Sequence, residues 1–299
     1  MKIKNLEELQ KHLDKIMHEQ NDQGLPDFEG YSPVEMQYIL YNTFEANSPI
    51  QLMNLKESDY KRIPILNQVK YLLKLIENQE ELKLTNKGFL PTKIVSELYN
   101  QGFIKDELIE SGISKLYKEL DCKTINLTRI LIELSGTVKK RNNKLSLTKK
   151  GKSIFGNDFE LLFLVLKTFG NKFNWPYYDG YGQNNIGQLA FGFSLILLSK
   201  YGKEKRLDKF YADKYLRAFP ELLNEISASY FDTNQEQARK CYSLRTFDRF
   251  LNYFGLIRIE TDKEWDADKF IIKTELFDKL IKVRPHNKTD KSLYRNWLN

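Results

Sequence analysis

The stretch Thr124–Phe155, TINLTRILIELSGTVKKRNNKLSLTKKGKSIF, reads as helix, glycine, strand, basic turn, strand and second helix. Leu127, Ile130, Leu131 and Leu134 stand at i, i+3, i+4 and i+7 and make one apolar stripe on a short helix. That leaves Thr128, Arg129, Glu133 and Ile132 on its outer side. Gly136 sits where a helix C-cap glycine belongs, because glycine adopts the left-handed conformation without strain. Thr137-Val138 and Leu145–Leu147 are short strands around Lys139-Lys140-Arg141-Asn142-Asn143-Lys144, a hairpin turn with turn-forming Asn at its tip. Thr148 then caps the next helix. A helix followed by a two-stranded wing is the back half of a winged-helix module.

The same alphabet recurs along the chain. Leu82–Gly88 and Leu145–Gly151 share the pattern L-x-L-T-x-K-G, 63 residues apart. Further on, Ser243–Phe254 reads as a helix ending at Gly255, followed by a strand over Leu256–Glu260 and a second hairpin strand at Phe270–Lys273. We therefore expect a mainly α fold with small β-hairpins, as tandem winged-helix-like units joined by helical segments. The expected divisions are an N-terminal helical region 1–58, units at 59–111, 112–156 and 240–283, a helical region with an aromatic loop at 157–239, and a basic tail at 284–299. A single decorated domain is the alternative, since the L-T-x-K-G pattern is short.

Other helices announce themselves by their starts. Leu6, Leu9, Leu13, Ile16 and Met17 share one face of a helix opened at Asn5, with His12 and His18 as exposed positions. Ser32-Pro33-Val34-Glu35 combines a serine cap, proline at the first helical position and glutamate at the third. Pro64 opens a helix carrying Leu66, Val69, Leu72, Leu73 and Ile76 at helical spacing.

The helix start Gly30-x-Ser32-Pro33-x-x-Met36 and the turn Leu82-Lys83-Leu84-Thr85-x-x-Gly88-x-Leu90-Pro91 resemble those of a group of uncharacterised bacterial proteins. The likeness covers roughly residues 25–100, about a quarter of the chain. It implies a bacterial origin and the fold of the first third. Some members of that group carry a Cys/His-rich metal-binding tail; beyond residue 100 this chain has two cysteines and one histidine, so that feature is not expected here. The resemblance implies no activity.

Composition narrows the function. The 299 residues suffice for two or three domains, and 41% hydrophobic with 13% aromatic content is that of a globular chain. Cys122 and Cys241 lack metal-ligand spacing, which suggests a reducing, cytoplasmic setting. The longest apolar run, Leu189–Leu198, has ten residues, half of a membrane span, and the N-terminus reads as a mixed-charge helix rather than a signal peptide. We expect no membrane partner, no metal and no cofactor.

Charge is unevenly placed within a formal net of +7. Residues 1–60 hold 5 Lys against 11 Asp and Glu, whereas residues 137–152 hold Lys139, Lys140, Arg141, Lys144, Lys149, Lys150 and Lys152 with no acid. A basic wing tracks phosphates, or else it guards a sheet edge against aggregation. On the Ser243–Phe254 helix, Phe247, Phe250, Leu251 and Phe254 form the buried stripe. Arg245, Asp248, Arg249 and Asn252 fall opposite, with Arg245, Arg249 and Asn252 as candidate readers of base edges; the plain alternative is an Arg245–Asp248 surface pair. Residues 173–185, FNWPYYDGYGQNN, place Trp175, Tyr177, Tyr178 and Tyr181 beside glycines, either as a ligand or partner loop or as an anchor between helices. Asp179 within it has no evident catalytic companion.

No phosphate-binding glycine loop, G-x-S-x-G or paired catalytic carboxylate stands out. The basic tail beyond Lys282 has no periodicity, though Leu293, Tyr294, Trp297 and Leu298 could dock as a terminal helix. The leading expectation is a non-enzymatic nucleic-acid-binding protein for DNA or RNA, a regulator or an accessory factor of a mobile element. The alternative is a protein–protein scaffold that uses winged-helix units as packing modules.

Overall fold

A computed structural model describes residues 6–261 and 268–286. The helices and strands follow in chain order. The first third holds α1 (Leu6–Asp22), α2 (Pro33–Tyr41), β1 (Ile50–Leu52), α3 (Glu57–Tyr60), α4 (Pro64–Asn78), β2 (Leu82–Lys83) and α5 (Thr92–Asn100). The middle holds α6 (Glu107–Glu110), α7 (Lys123–Leu134), β3 (Val138–Arg141), β4 (Lys144–Leu147), α8 (Lys149–Ile154) and α9 (Asp158–Asn171). The last third holds α10 (Phe191–Tyr201), β5 (Arg206–Leu207), α11 (Asp208–Ala218) and α12 (Asn234–Tyr242), which runs into a π-helical segment at Ser243–Leu251. It closes with β6 (Ile257–Thr261), β7 (Lys269–Lys273), α13 (Glu275–Leu280) and β8 (Ile281–Val283). The chain is mainly helical, with antiparallel sheets of two or three strands.

Local signals explain the helix starts. Ser32 caps α2 and Glu35 returns the bond in a full capping box, with Pro33 at the first position. Thr148 accepts from the Gly151 amide at the start of α8, and Thr274 from the Phe277 amide at the start of α13. On α4, Leu66, Val69, Leu72, Leu73 and Ile76 are all fully buried, as their spacing foretold.

The sheets join segments that the sequence reading had kept apart. The β2–β4–β3 sheet pairs Leu82 with Leu145 and Lys83 with Lys144. The first leucines of the two L-x-L copies, Leu82 and Leu145, 63 residues apart, are thus cross-strand partners in one sheet. Gly88 belongs to a turn at φ +78°, whereas Gly151 lies inside α8, where a Cβ would meet the Thr137 carbonyl oxygen at 2.0 Å. Residues 59–111 and 112–156 therefore build one sheet together. In the same way β5, from the expected helical region, completes the β5–β7–β6 sheet.

Two parts of the chain share an order of elements. The order helix, strand, helix, helix, hairpin occurs as α4–β2–α5–α7–β3–β4, with the short α6 standing between α5 and α7, and again as α10–β5–α11–α12/π–β6–β7. Both third helices end on a left-handed glycine, Gly136 (φ 73°) and Gly255 (φ 68°). Thr148 donates its hydroxyl to the Gly136 carbonyl at 2.7 Å, and Thr274 to the Gly255 carbonyl at 2.9 Å. Each threonine amide also bonds the carbonyl just after its glycine, that of Thr137 or Leu256. These shared bonds, not the L-T-x-K-G pattern, mark the equivalent positions.

One apolar core runs through both units, and β1 pairs with β8 across the chain. Around that pair Tyr31 donates to the Arg284 carbonyl, and Arg284 donates to the carbonyls of Ala46 and Ser48. On α1, Leu13, Ile16 and Met17 are exposed and Leu9 is half-buried. His12 and His18 are exposed as well. The expected docking residues of the tail, Leu293 to Leu298, lie outside the described residues.

Candidate nucleic-acid interface

The hairpin at 138–147 turns in two residues. Asn142 (φ 49°) and Asn143 (φ 54°) are both left-handed, the arrangement of a type I′ turn that matches strand twist and suits Asn. Leu84 donates its amide to the Asn143 carbonyl at 2.7 Å and so fixes β2 to the turn.

Register then sorts the side chains. Directly opposed residues share a face and neighbours along a strand alternate. Leu82, Leu145, Leu147 and Val138 point inward and are buried. Lys83, Lys144, Arg141, Lys139 and Ser146 share the outer face. Lys83 was not among the residues singled out by sequence, because a two-residue strand has no periodicity of its own.

All seven cations between 139 and 152 are exposed. Lys144 pairs with Glu81, whose carboxyl is held below its ordinary value by that contact. Lys140 reaches the Gly88 carbonyl at 3.3 Å, and Lys150 the Ser135 carbonyl at the end of α7 at 3.0 Å. Lys139, Arg141, Lys149 and Lys152 make no side-chain bond among the described residues.

The helix at 243–254 departs from expectation. Its apolar stripe is buried as foreseen, but so are Arg245 and Arg249, and only Asn252 is exposed. Arg245 bonds Asp179 through Nε at 2.7 Å and Nη2 at 3.2 Å. Its remaining N–H groups donate to Asn184 Oδ1 and to the carbonyls of Gly182, Asn184 and Ile186. Arg249 donates to the Tyr178 carbonyl at 2.8 Å and lies 3.6 Å from Asp179. Neither arginine can therefore reach a base edge in this structure. Asp248 pairs with Lys269 rather than Arg245, and burial raises its carboxyl pKa. Asp179 is the companion that both arginines share.

The outer side of α7 is buried too. Thr128, Arg129 and Ile132 are covered, and only the end residues Lys123 and Leu134 are exposed. The helix packs on both sides. Gln68 of α4 donates to Thr128, and α9 lies against the other flank. Arg129 bonds the fully buried Glu119 at 2.6 Å, which also accepts from Asn126 and from the Leu90 amide.

The aromatic loop sits between the two third helices. Tyr178 donates to Asn126 of α7 while its carbonyl accepts from Arg249; burial pushes its hydroxyl pKa well up. Trp175 is buried and donates to the Phe169 carbonyl at 2.8 Å. Leu127, Trp175, Tyr178, Arg245 and Tyr253 line the narrow cleft where the elements meet. Tyr181 is half-buried and Tyr177 is exposed. The loop packs as an anchor between helices, and of its four candidate aromatic residues Tyr177 is the exposed one.

No family model, curated protein or solved structure matches this chain. Among the described residues no group of three or more His, Cys, Asp or Glu is placed to hold a metal ion, and no helix is long and apolar enough to cross a membrane. Cys122 and Cys241 are both buried free thiols, the latter pushed up to about 12 by burial, so neither is an activated nucleophile.

Proposed function

We propose that the two helix–strand–helix–helix–hairpin units are winged-helix modules, and that the protein binds nucleic acid without catalysing a reaction on it. The basic hairpin of the first unit makes the contact. One observation carries this reading: seven exposed cations lie between residues 139 and 152 with no acid among them, and four of them have no side-chain partner among the described residues. Cations held on a rigid two-stranded turn exchange condensed counterions for phosphates at little entropic cost.

The test is fluorescence anisotropy with labelled duplex DNA, single-stranded DNA and RNA over a range of salt. Binding should weaken by about tenfold or more between low and physiological salt. It should be lost when Lys139, Lys140, Arg141 and Lys144 are changed together to Glu. No binding to any probe at low salt would end this reading.

A second reading has its own observation. The 243–254 helix buries Arg245 and Arg249 against the 173–185 loop, and α7 accepts from the same loop through Asn126, which is how packing modules of a scaffold would use them. Leu108, Ile113, Tyr117 and Leu120 on the connection between α5 and α7 are exposed apolar side chains that a protein partner would cover. Pull-down with the full chain, with and without Ile113→Asp, tests it.

A further inference from the structure

The geometry points to a duplex phosphate backbone, taken without regard to sequence, as the ligand of the outer β2–β4–β3 face, with Lys83 as a contact outside the wing. This rests on the nucleic-acid reading above and adds the class of ligand and how it is held.

Two absences of access and one placement lead here. Reading a base in the major groove needs an exposed helix with polar side chains. Of the two third helices, α7 exposes only Lys123 and Leu134, and the 243–254 helix exposes only Asn252. The arginines that would read guanine are committed to Asp179 and to loop carbonyls. Binding a single strand calls for aromatic side chains on which bases stack, yet the outward residues of the sheet are Lys83, Lys139, Arg141, Lys144 and Ser146. An acidic membrane surface would also fit the charge, but peripheral attachment draws on apolar side chains inserted below the headgroups, and this face presents none.

What remains is charge on a small twisted sheet. Lys139 and Arg141 stand two apart on β3, about 6.7 Å along the strand, while Lys144 and Lys83 extend the row across β4 and β2. Ser146 adds a hydroxyl for a phosphate oxygen. Glu81 is the counter-charge at the margin, paired with Lys144 and within electrostatic reach of Lys139. Removing it should release Lys144 for the ligand.

The experiment uses the full chain and anisotropy with duplex DNA of several unrelated sequences, duplex RNA, single strands of the same length and vesicles of anionic phospholipid. Duplexes should bind within about twofold of one another and single strands at least about threefold more weakly, as expected of contacts to phosphate alone. The DNA and RNA arms identify which duplex is preferred. Lys83→Glu should weaken duplex binding about fivefold and flatten the salt dependence. Glu81→Gln should tighten it about threefold, a gain that misfolding cannot mimic. A tenfold preference for one sequence, single strands bound as well as duplexes, vesicles bound in place of duplexes, or no change in Glu81→Gln would overturn this inference while leaving the basic hairpin as a binding element. Failure of every probe to bind overturns both readings together.

Discussion

Arg245 has five N–H groups and no exposed side-chain surface, so each group needs an acceptor inside the protein. Asp179 supplies the charge that makes this burial tolerable. Asp179→Ala should therefore cost about 3–5 kcal/mol in urea unfolding at neutral pH, the penalty for a buried charge left alone. Asp179→Asn keeps an acceptor and should cost less, which separates lost charge from lost packing. Glu29 gives a second test, through pH. Burial works to raise its pKa, yet bonds from Lys200, Lys214 and Tyr201 more than offset this and the net shift is downward. A depressed carboxyl contributes stability that is fully present above its ordinary value of 4.5 and is lost as pH falls through the folded value. The gap in unfolding midpoint between the parent chain and Glu29→Gln should be widest near neutral pH and close in acid. At this scale the sequence was a poor guide. The 243–254 helix is strongly amphipathic, which normally means a solvated polar face. Its arginines turn inward because a partner 66 residues earlier in the chain waits for them. The trace of that pairing was an acid without a companion in an aromatic, amide-rich loop.

Among elements, those set by neighbours in the chain were legible and those set by distant partners were not. The Ser32 and Thr148 caps, the Asn-Asn turn and the C-terminal glycines depend on a few adjacent residues and stand where the sequence placed them, while the opening at Asn5 lies outside the described residues. The short strands β2 and β5 depend on hairpins far along the chain, and a two-residue strand carries no signal of such a partner. The outer side of α7 was misjudged for the same reason: a helix packed between α4 and α9 has no free face to betray by spacing. Thr148→Ala and Thr274→Ala should each cost about 1 kcal/mol in equilibrium unfolding, as expected for a lost N-cap. Equal costs would agree with the equivalence of the two junctions. Gly151→Ala should cost about 1–3 kcal/mol, because its methyl group meets the Thr137 carbonyl at the hairpin's root. The Asn-rich turn should tolerate exchange of Asn143 for Gly with little change, since both residues accept positive φ.

Across the whole molecule the first sixty residues are acid-rich, with 5 Lys against 11 Asp and Glu. They are fastened to the far end of the chain through β1 and β8, with Tyr31 and Arg284 bonding across the junction. Changing Arg284 to Ala should lower the thermal midpoint by a few degrees. The same change should raise amide exchange in residues 50–52 more than in the β2–β4–β3 sheet. This closure also sets a clock on biosynthesis. Ile50 pairs with Val283, so the first strand of the protein has no partner until about 230 more residues have been made. At ribosomal rates of about 5–20 residues per second, that edge waits on the order of 10–50 s. For that interval the edge of β1, with Ile50 and Leu52, is unpaired and open to strangers.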